Sequence, residues 1–135
     1  MATQIYVNLP VRDLESSVAF FRRLGFAFDA QFTDTNASCM IVDENIFVML
    51  LVDRYFATFT PKPVADATKA TEVLVCITRD SREDVDRMVA DAIAAGGTAP
   101  RLPQDHGFMY QHGFHDPDGH VWELIHMKAP PPGTA

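Results

Sequence analysis

Basic residues are scarce in this chain: 11 Lys and Arg stand against 18 Asp and Glu, for a formal net charge of −7. Nucleic-acid phosphates and anionic membrane surfaces are bound by clustered Lys and Arg, so neither is expected as a partner, and a neutral or cationic ligand suits the chain better. Long apolar runs are also missing. No stretch approaches the roughly 20 residues that span a bilayer, and the opening MATQIYVNLP has no basic region leading into an apolar one. The expected location is therefore the cytoplasm. Cysteine is limited to Cys39 and Cys76, each inside a strand-like run. These read as ordinary apolar packing rather than a disulfide framework, and they fit a reducing compartment. Three prolines, Pro130, Pro131 and Pro132, stand together near the end. Residues 129–135 can neither continue a strand nor bury anything, so a flexible tail without function is expected there.

What is present is an ordinary globular composition, 47% hydrophobic and 21% charged over 135 residues, enough for one domain with one core. Ile5, Val7, Leu9 and Val11 alternate with Tyr6, Asn8 and Pro10, the period-2 pattern of a strand whose two faces see different surroundings. Asp13 then stands as an N-cap before a helical stripe of Leu14, Val18, Phe21 and Leu24, and Gly25 stops the helix. Strand-like runs come next at 26–32, 37–42 and 46–52, separated by turn-rich segments at 33–36 and 43–45. The order is β-α-β-β-β.

The same order then returns. Residues 71–78 read as a strand, and Ser81, with Asp84 three residues on, opens a helix whose stripe is Val85, Met88, Val89, Ala92 and Ile93. Gly96 and Gly97 close it, and strands are expected at 98–102, 108–115 and 120–127, the last two joined by Asp116-Pro117-Asp118-Gly119. Asp13 and Ser81 lie 68 residues apart, and the same offset carries the first strand onto the fifth, so the chain is an internal duplication. The expected fold class is α+β: two tandem βαβββ modules, 1–53 and 71–128, within one domain spanning 1–128. One helix covers only one face of a four-stranded sheet, so the other face must meet a second sheet or enclose something. Curled mixed sheets around a shared cavity, with a helix outside each, satisfy that requirement. The connector 54–70 contains Pro61, Pro63, Tyr55, Phe56 and Phe59 and breaks the β pattern. It reads either as a linker with a few packed aromatics or as a lid over the cavity.

The segments VNLPVRDLESSVAFFRRLGF and FHDPDGHVWELI, in the right halves of a duplicated βαβββ plan, resemble the glyoxalase and bleomycin-resistance branch of the vicinal oxygen chelate superfamily. The resemblance covers nearly the whole chain and implies that fold and a homodimer. It does not imply one function, because the superfamily includes isomerases, epimerases, thiol transferases, ring-cleaving oxygenases and antibiotic-sequestering proteins. In its metal-dependent members the ion is held in the cavity by side chains from the first and last strands of each module. Carried onto this chain, those positions fall at Tyr6, Met49, Leu74 and Glu123. Of these only Glu123 is a usual ligand for a hard or borderline divalent ion, so no metal cofactor is expected, as in bleomycin-resistance proteins. A register shifted by two residues keeps the strand face and brings Asn8 and Glu72 beside Glu123, leaving open a divalent ion held by two carboxylates and an amide.

Glu123 sits between Trp122 and Leu124 in a short apolar strand, where alternation turns it away from both and toward the cavity. A carboxylate there suits general acid or base work, or the gripping of a cationic ligand. Tyr6, Asn8, Met49, Glu72, Leu74 and Tyr110 are the expected ligand-binding residues around it, with Gln111 beside Tyr110 as a further candidate for the cavity rim. The five histidines lack the spacing of a metal site: His115 and His120 flank the last turn at the sheet edge, and His126 shares a face with Trp122 and Leu124. His106 reads as exposed, and His112 would reach the cavity only through a bulge at Gly113. Asp116 and Asp118 are expected to point to solvent, and Phe20, Phe21, Phe26, Phe28 and Phe32 to pack in the core. The resulting reading is a metal-free protein that binds a small organic, preferably cationic, molecule. The alternatives are a divalent-metal lyase or isomerase of the lactoylglutathione lyase type, with Glu123 as ligand or base, and a dimer with no small-molecule site.

Overall fold

The computed structural model describes residues 2–128, so the expected tail at 129–135 lies outside the described residues. Two compact units divide the chain, Met1–Asp66 and Ala67–Ala135. The division falls inside the 54–70 connector. Its aromatic part belongs to the first unit, where Asp53–Phe56 forms a short helix and Ala57–Phe59 a 3-10 turn, with the Tyr55 and Phe59 rings edge to face at 5.1 Å.

The first unit runs β1 (Ile5–Val11), α1 (Leu14–Arg23), β2 (Ala27–Asp29), β3 (Ala37–Asp43), β4 (Ile46–Val52) and the short helix α2 (Asp53–Phe56). Its sheet has the order β1-β4-β3-β2, with β1 parallel to β4 and the other pairs antiparallel. Asp13 caps α1 by accepting from the Ser16 amide at 3.2 Å, and Gly25, at φ 102°, lets the chain leave the helix in a conformation other residues resist. The stripe that α1 buries is centred on Ser17, Phe20, Phe21 and Leu24 and packs against β3 and β4, where Met40, Val48 and Leu50 are buried. The strand expected at 26–32 is cut to three residues because the Asp29 carboxylate accepts from the Gln31 amide and turns the chain into a 3-10 turn at Ala30–Phe32. Phe32 is consequently 58% exposed rather than packed in the core.

The second unit repeats the plan as β5 (Leu74–Thr78), α3 (Arg82–Ala94), β6 (Gln104–Asp105), β7 (Met109–His115) and β8 (Val121–Met127), in the order β5-β8-β7-β6. The Ser81 hydroxyl caps α3 by accepting from the Asp84 amide. Val85, Met88, Val89 and Ala92 are buried with Phe114, Trp122 and Leu124, whereas Ile93, expected in that stripe, is exposed. The strand expected at 98–102 shrinks to a single bridge between Thr98 and His115, and the pairing edge moves to β6. Pro100 and Pro103 explain the shift, since neither has an N–H to offer a ladder.

The turn between β7 and β8 overturns the expectation that its acids face water. Asp116, Asp118 and His120 are all buried. The Asp116 carboxylate accepts from the amides of Asp118 and His120 at 3.0 Å each and from the Trp122 indole N–H at 3.1 Å. Burial pushes this carboxyl above its ordinary value, against the opposing pull of His120 and of the indole and amide donors. Gly119 is required twice over: its φ is +90°, and a Cβ there would lie 2.7 Å from the Ala67 carbonyl oxygen. Trp122 is the largest fully buried side chain, and a buried indole needs a partner for its N–H, which Asp116 supplies. Asp116→Ala orphans three buried donors and should lower stability by about 3 kcal/mol in urea unfolding, with Asp116→Asn losing less because its amide oxygen still accepts. A loss below about 1 kcal/mol for the alanine variant would show that this carboxylate does not anchor the hairpin.

Candidate functional site

Strand alternation gives each sheet a face toward its helix and an open face, and residues directly paired across strands share a face. On the open face of the first sheet, Tyr6 lies beside Phe47 and Asn8 beside Met49, with Cys39 on the far side of Met49. The Tyr6 and Phe47 rings stack at 4.7 Å. On the open face of the second sheet, Leu74 lies beside Val121, Cys76 beside Glu123, and Gly113 on the other side of Glu123. Asn8–Met49 and Cys76–Glu123 thus occupy corresponding places in the two repeats. The immediate neighbour of Glu123 is Cys76, and Leu74 sits two residues back on the same face. The 68-residue offset maps Asn8 onto Cys76, so a signal for this neighbour is present in the sequence.

Three expected residues, Tyr6, Asn8 and Met49, gather on the first sheet, and two, Leu74 and Glu123, on the second. Glu72 does not join them, because β5 begins at Leu74 and Glu72 is exposed ahead of the ladder. Tyr110 also fails to join them. It pairs with His126 on the helix side, where it is buried, donates its hydroxyl to Asp86 at 2.6 Å and lies under the Arg82 guanidinium at 4.2 Å. Burial first, and the bond to Asp86 second, hold its phenol above the ordinary value. His112 pairs in register with Leu124 without a bulge, and its Nε2 donates to the Arg101 carbonyl. His126 shares the helix face, as alternation requires, with Nδ1 against the Arg79 carbonyl.

Glu123 is half-buried, and the Gln111 side-chain amide donates to its Oε2. Gln111, a weaker candidate for the cavity rim in the sequence, reaches Glu123 diagonally, from the position paired with Ile125. Among the described residues no Lys, Arg or His forms an ion pair with Glu123. A Cβ at Gly113 would lie 2.5 Å from the Trp122 carbonyl oxygen, so only glycine lets β7 run this close to β8. Gly113 and Glu123 both line a pocket of about 50 Å³, bordered also by Pro100, Leu102, Gln104, Gln111 and Val121. Cys76 is exposed on this face rather than packed in the interior, and desolvation, then the Glu123 charge, hold its thiol above the ordinary value.

A divalent ion fits poorly here. The side chains next to Glu123 are an amide and a protonated thiol, and among the described residues no three His, Cys, Asp or Glu side chains come together to hold an ion.

A family model described as the Glyoxalase/Bleomycin resistance protein/Dioxygenase superfamily matches residues 3–124. The chain belongs to this superfamily. Among solved structures, a hypothetical protein from S. aureus is similar at 26% identity and a TM-score of 0.79, over 93% of this chain and 94% of that one. A superfamily enzyme from Burkholderia phytofirmans is similar at 22% and 0.77, over 93% and 99%. A bleomycin resistance determinant encoded on the transposon Tn5 matches at 21% and 0.65, over 94% and 99%. The last two likenesses establish the fold alone. No curated protein matches the chain at a significant level.

The closeness of Cys76 to Glu123 is open to test. The thiolate is the reactive form, and a raised thiol leaves little of it near pH 8. Glu123→Gln removes the second of the two causes, lowers the thiol back toward its ordinary value, and should speed alkylation of Cys76 by iodoacetamide at that pH about threefold. An unchanged rate would mean that the two groups do not interact.

Proposed function

We propose that this superfamily member binds a small organic cation on the open face of its second sheet, with Glu123 as the counter-charge and no metal ion. The observation that carries this reading is a half-buried carboxylate with no cationic side chain paired to it among the described residues, beside a pocket with apolar walls. A half-buried carboxylate bonded by a neutral amide keeps its charge uncompensated, and a bound cation supplies the opposite charge. The net charge of −7 draws cations and repels anions. The name of the Tn5 determinant, bleomycin resistance, is in keeping with an organic molecule as the ligand.

A homodimer is part of the same reading. Tyr6 is exposed on the open face of the first sheet and Leu74 on that of the second, and a second chain would cover them. No helix among the described residues is long and apolar enough to cross a membrane, and the free thiols Cys39 and Cys76 suit the cytoplasm.

Arylalkyl cations such as benzylammonium should raise the melting temperature, whereas benzyl alcohol and phenylacetate should not, and Glu123→Gln should weaken the cation about tenfold by calorimetry. Equal stabilisation by cation and neutral isostere would overturn the reading. After equilibration with Mn²⁺, Ni²⁺ or Zn²⁺ and dialysis, elemental analysis should find far less than one ion per chain. Close to about one ion per chain, lost in Glu123→Gln, would return the protein to the metal-dependent lyases.

A further inference from the structure

Many cations could satisfy a lone carboxylate, but the pair formed by Gln111 and Glu123 is more selective. An ionised carboxylate only accepts hydrogen bonds, so the Gln111 amide must present its nitrogen to Glu123 Oε2 and turn its own oxygen away. Rotating the amide over would set two acceptor oxygens against each other. The remaining oxygens, Oε1 of Glu123 and Oε1 of Gln111, have no partner among the described residues, and neither is a buried unsatisfied atom. Both side chains border the same pocket, which Gly113 also lines.

We propose that Gln111 and Glu123 together read a planar cation with two adjacent N–H donors, of the amidinium or guanidinium class. One N–H goes to the free carboxylate oxygen and the other to the Gln111 carbonyl. This rests on the cation-binding reading above and names the kind of cation. The bond from Gln111 also holds the carboxylate in one orientation, which lowers the ordering cost when a ligand arrives. A pocket of about 50 Å³ takes only the charged headgroup, and Pro100, Leu102 and Val121 on its border meet the apolar remainder. Arg101 also borders the pocket, but it is exposed, and water and salt screen its charge. Gln111 is therefore a specificity-determining residue, and Glu123 supplies the charge.

The test compares three probes that share a benzyl-like body: benzamidinium, benzylammonium and benzyltrimethylammonium, which has no N–H. Calorimetry on the full chain should show benzamidinium binding about tenfold or more tighter than benzyltrimethylammonium. Gln111→Leu should erase most of that ratio while changing benzyltrimethylammonium by less than about twofold, and Gln111→Asn, whose amide is too short to reach Glu123, should do the same. Glu123→Gln should weaken all three. Melting curves establish that each variant folds, and if the leucine variant does not, the asparagine variant decides. A ratio near one in the unaltered chain, or one that survives both Gln111 substitutions, overturns this inference and leaves cation binding standing. If no probe binds, or if binding ignores Glu123→Gln, the cation-binding reading falls as well.

Discussion

In each repeat the first and last strands pair in parallel, β1 with β4 and β5 with β8, and the layout of both modules hangs on that pairing. Parallel neighbours cannot be joined by a tight hairpin, so the chain must cross over, and here the crossover holds one helix and the two remaining strands. The pairing also sets residues from opposite ends of a module side by side on one face. Asn8 meets Met49 and Cys76 meets Glu123 only because the registers of these two ladders bring them together. A slip of one residue would turn Glu123 into the helix-facing core, where a carboxylate would be buried among Trp122, Leu124 and Phe114.

Two devices keep that register in the second repeat. Gly113 permits an approach between β7 and β8 that any side chain would block. Asp116, buried in the connecting turn, ties the turn's amides to the indole of Trp122 in the next strand, so the turn geometry and the strand phase are fixed by one carboxylate. Its charge is costly to bury, and three donors offset that cost. The hairpin therefore presents Glu123 from a rigid support, with Gly113 beside it on the open face and Trp122 anchored on the opposite one.

The chemistry of the open face is set by the neighbours of Glu123. Carboxylates and imidazoles would make a cation site of the metal kind, but the neighbours are an amide, a glycine and a thiol whose proton is held firmly. An amide donor satisfies half of a carboxylate without neutralising it. The result is a single negative charge of fixed orientation at the edge of an apolar pocket, a feature suited to recognition by hydrogen bonds and charge together.

The duplication, both helix caps, the first and last strands of each repeat and the outward turn of Glu123 were legible in the sequence, because alternation, capping residues and a fixed repeat offset are local signals that one chain segment carries by itself. The lengths of β2 and β6 were not, since a side-chain bond from Asp29 and two prolines without donors override the apolar pattern. Nor was the burial of Asp116, whose residue type belongs to turns and whose surroundings are set by Trp122 and the backbone at Ala67. Tyr110 and Glu72 left the site for the same kind of reason: which face a residue joins, and whether a strand has begun, depend on partners far along the chain. Sequence determined the repeats and the lone carboxylate. Only tertiary structure decided that Gln111 and Cys76 stand beside it, because cross-strand neighbours are chosen by register, and register is a property of the assembled sheet.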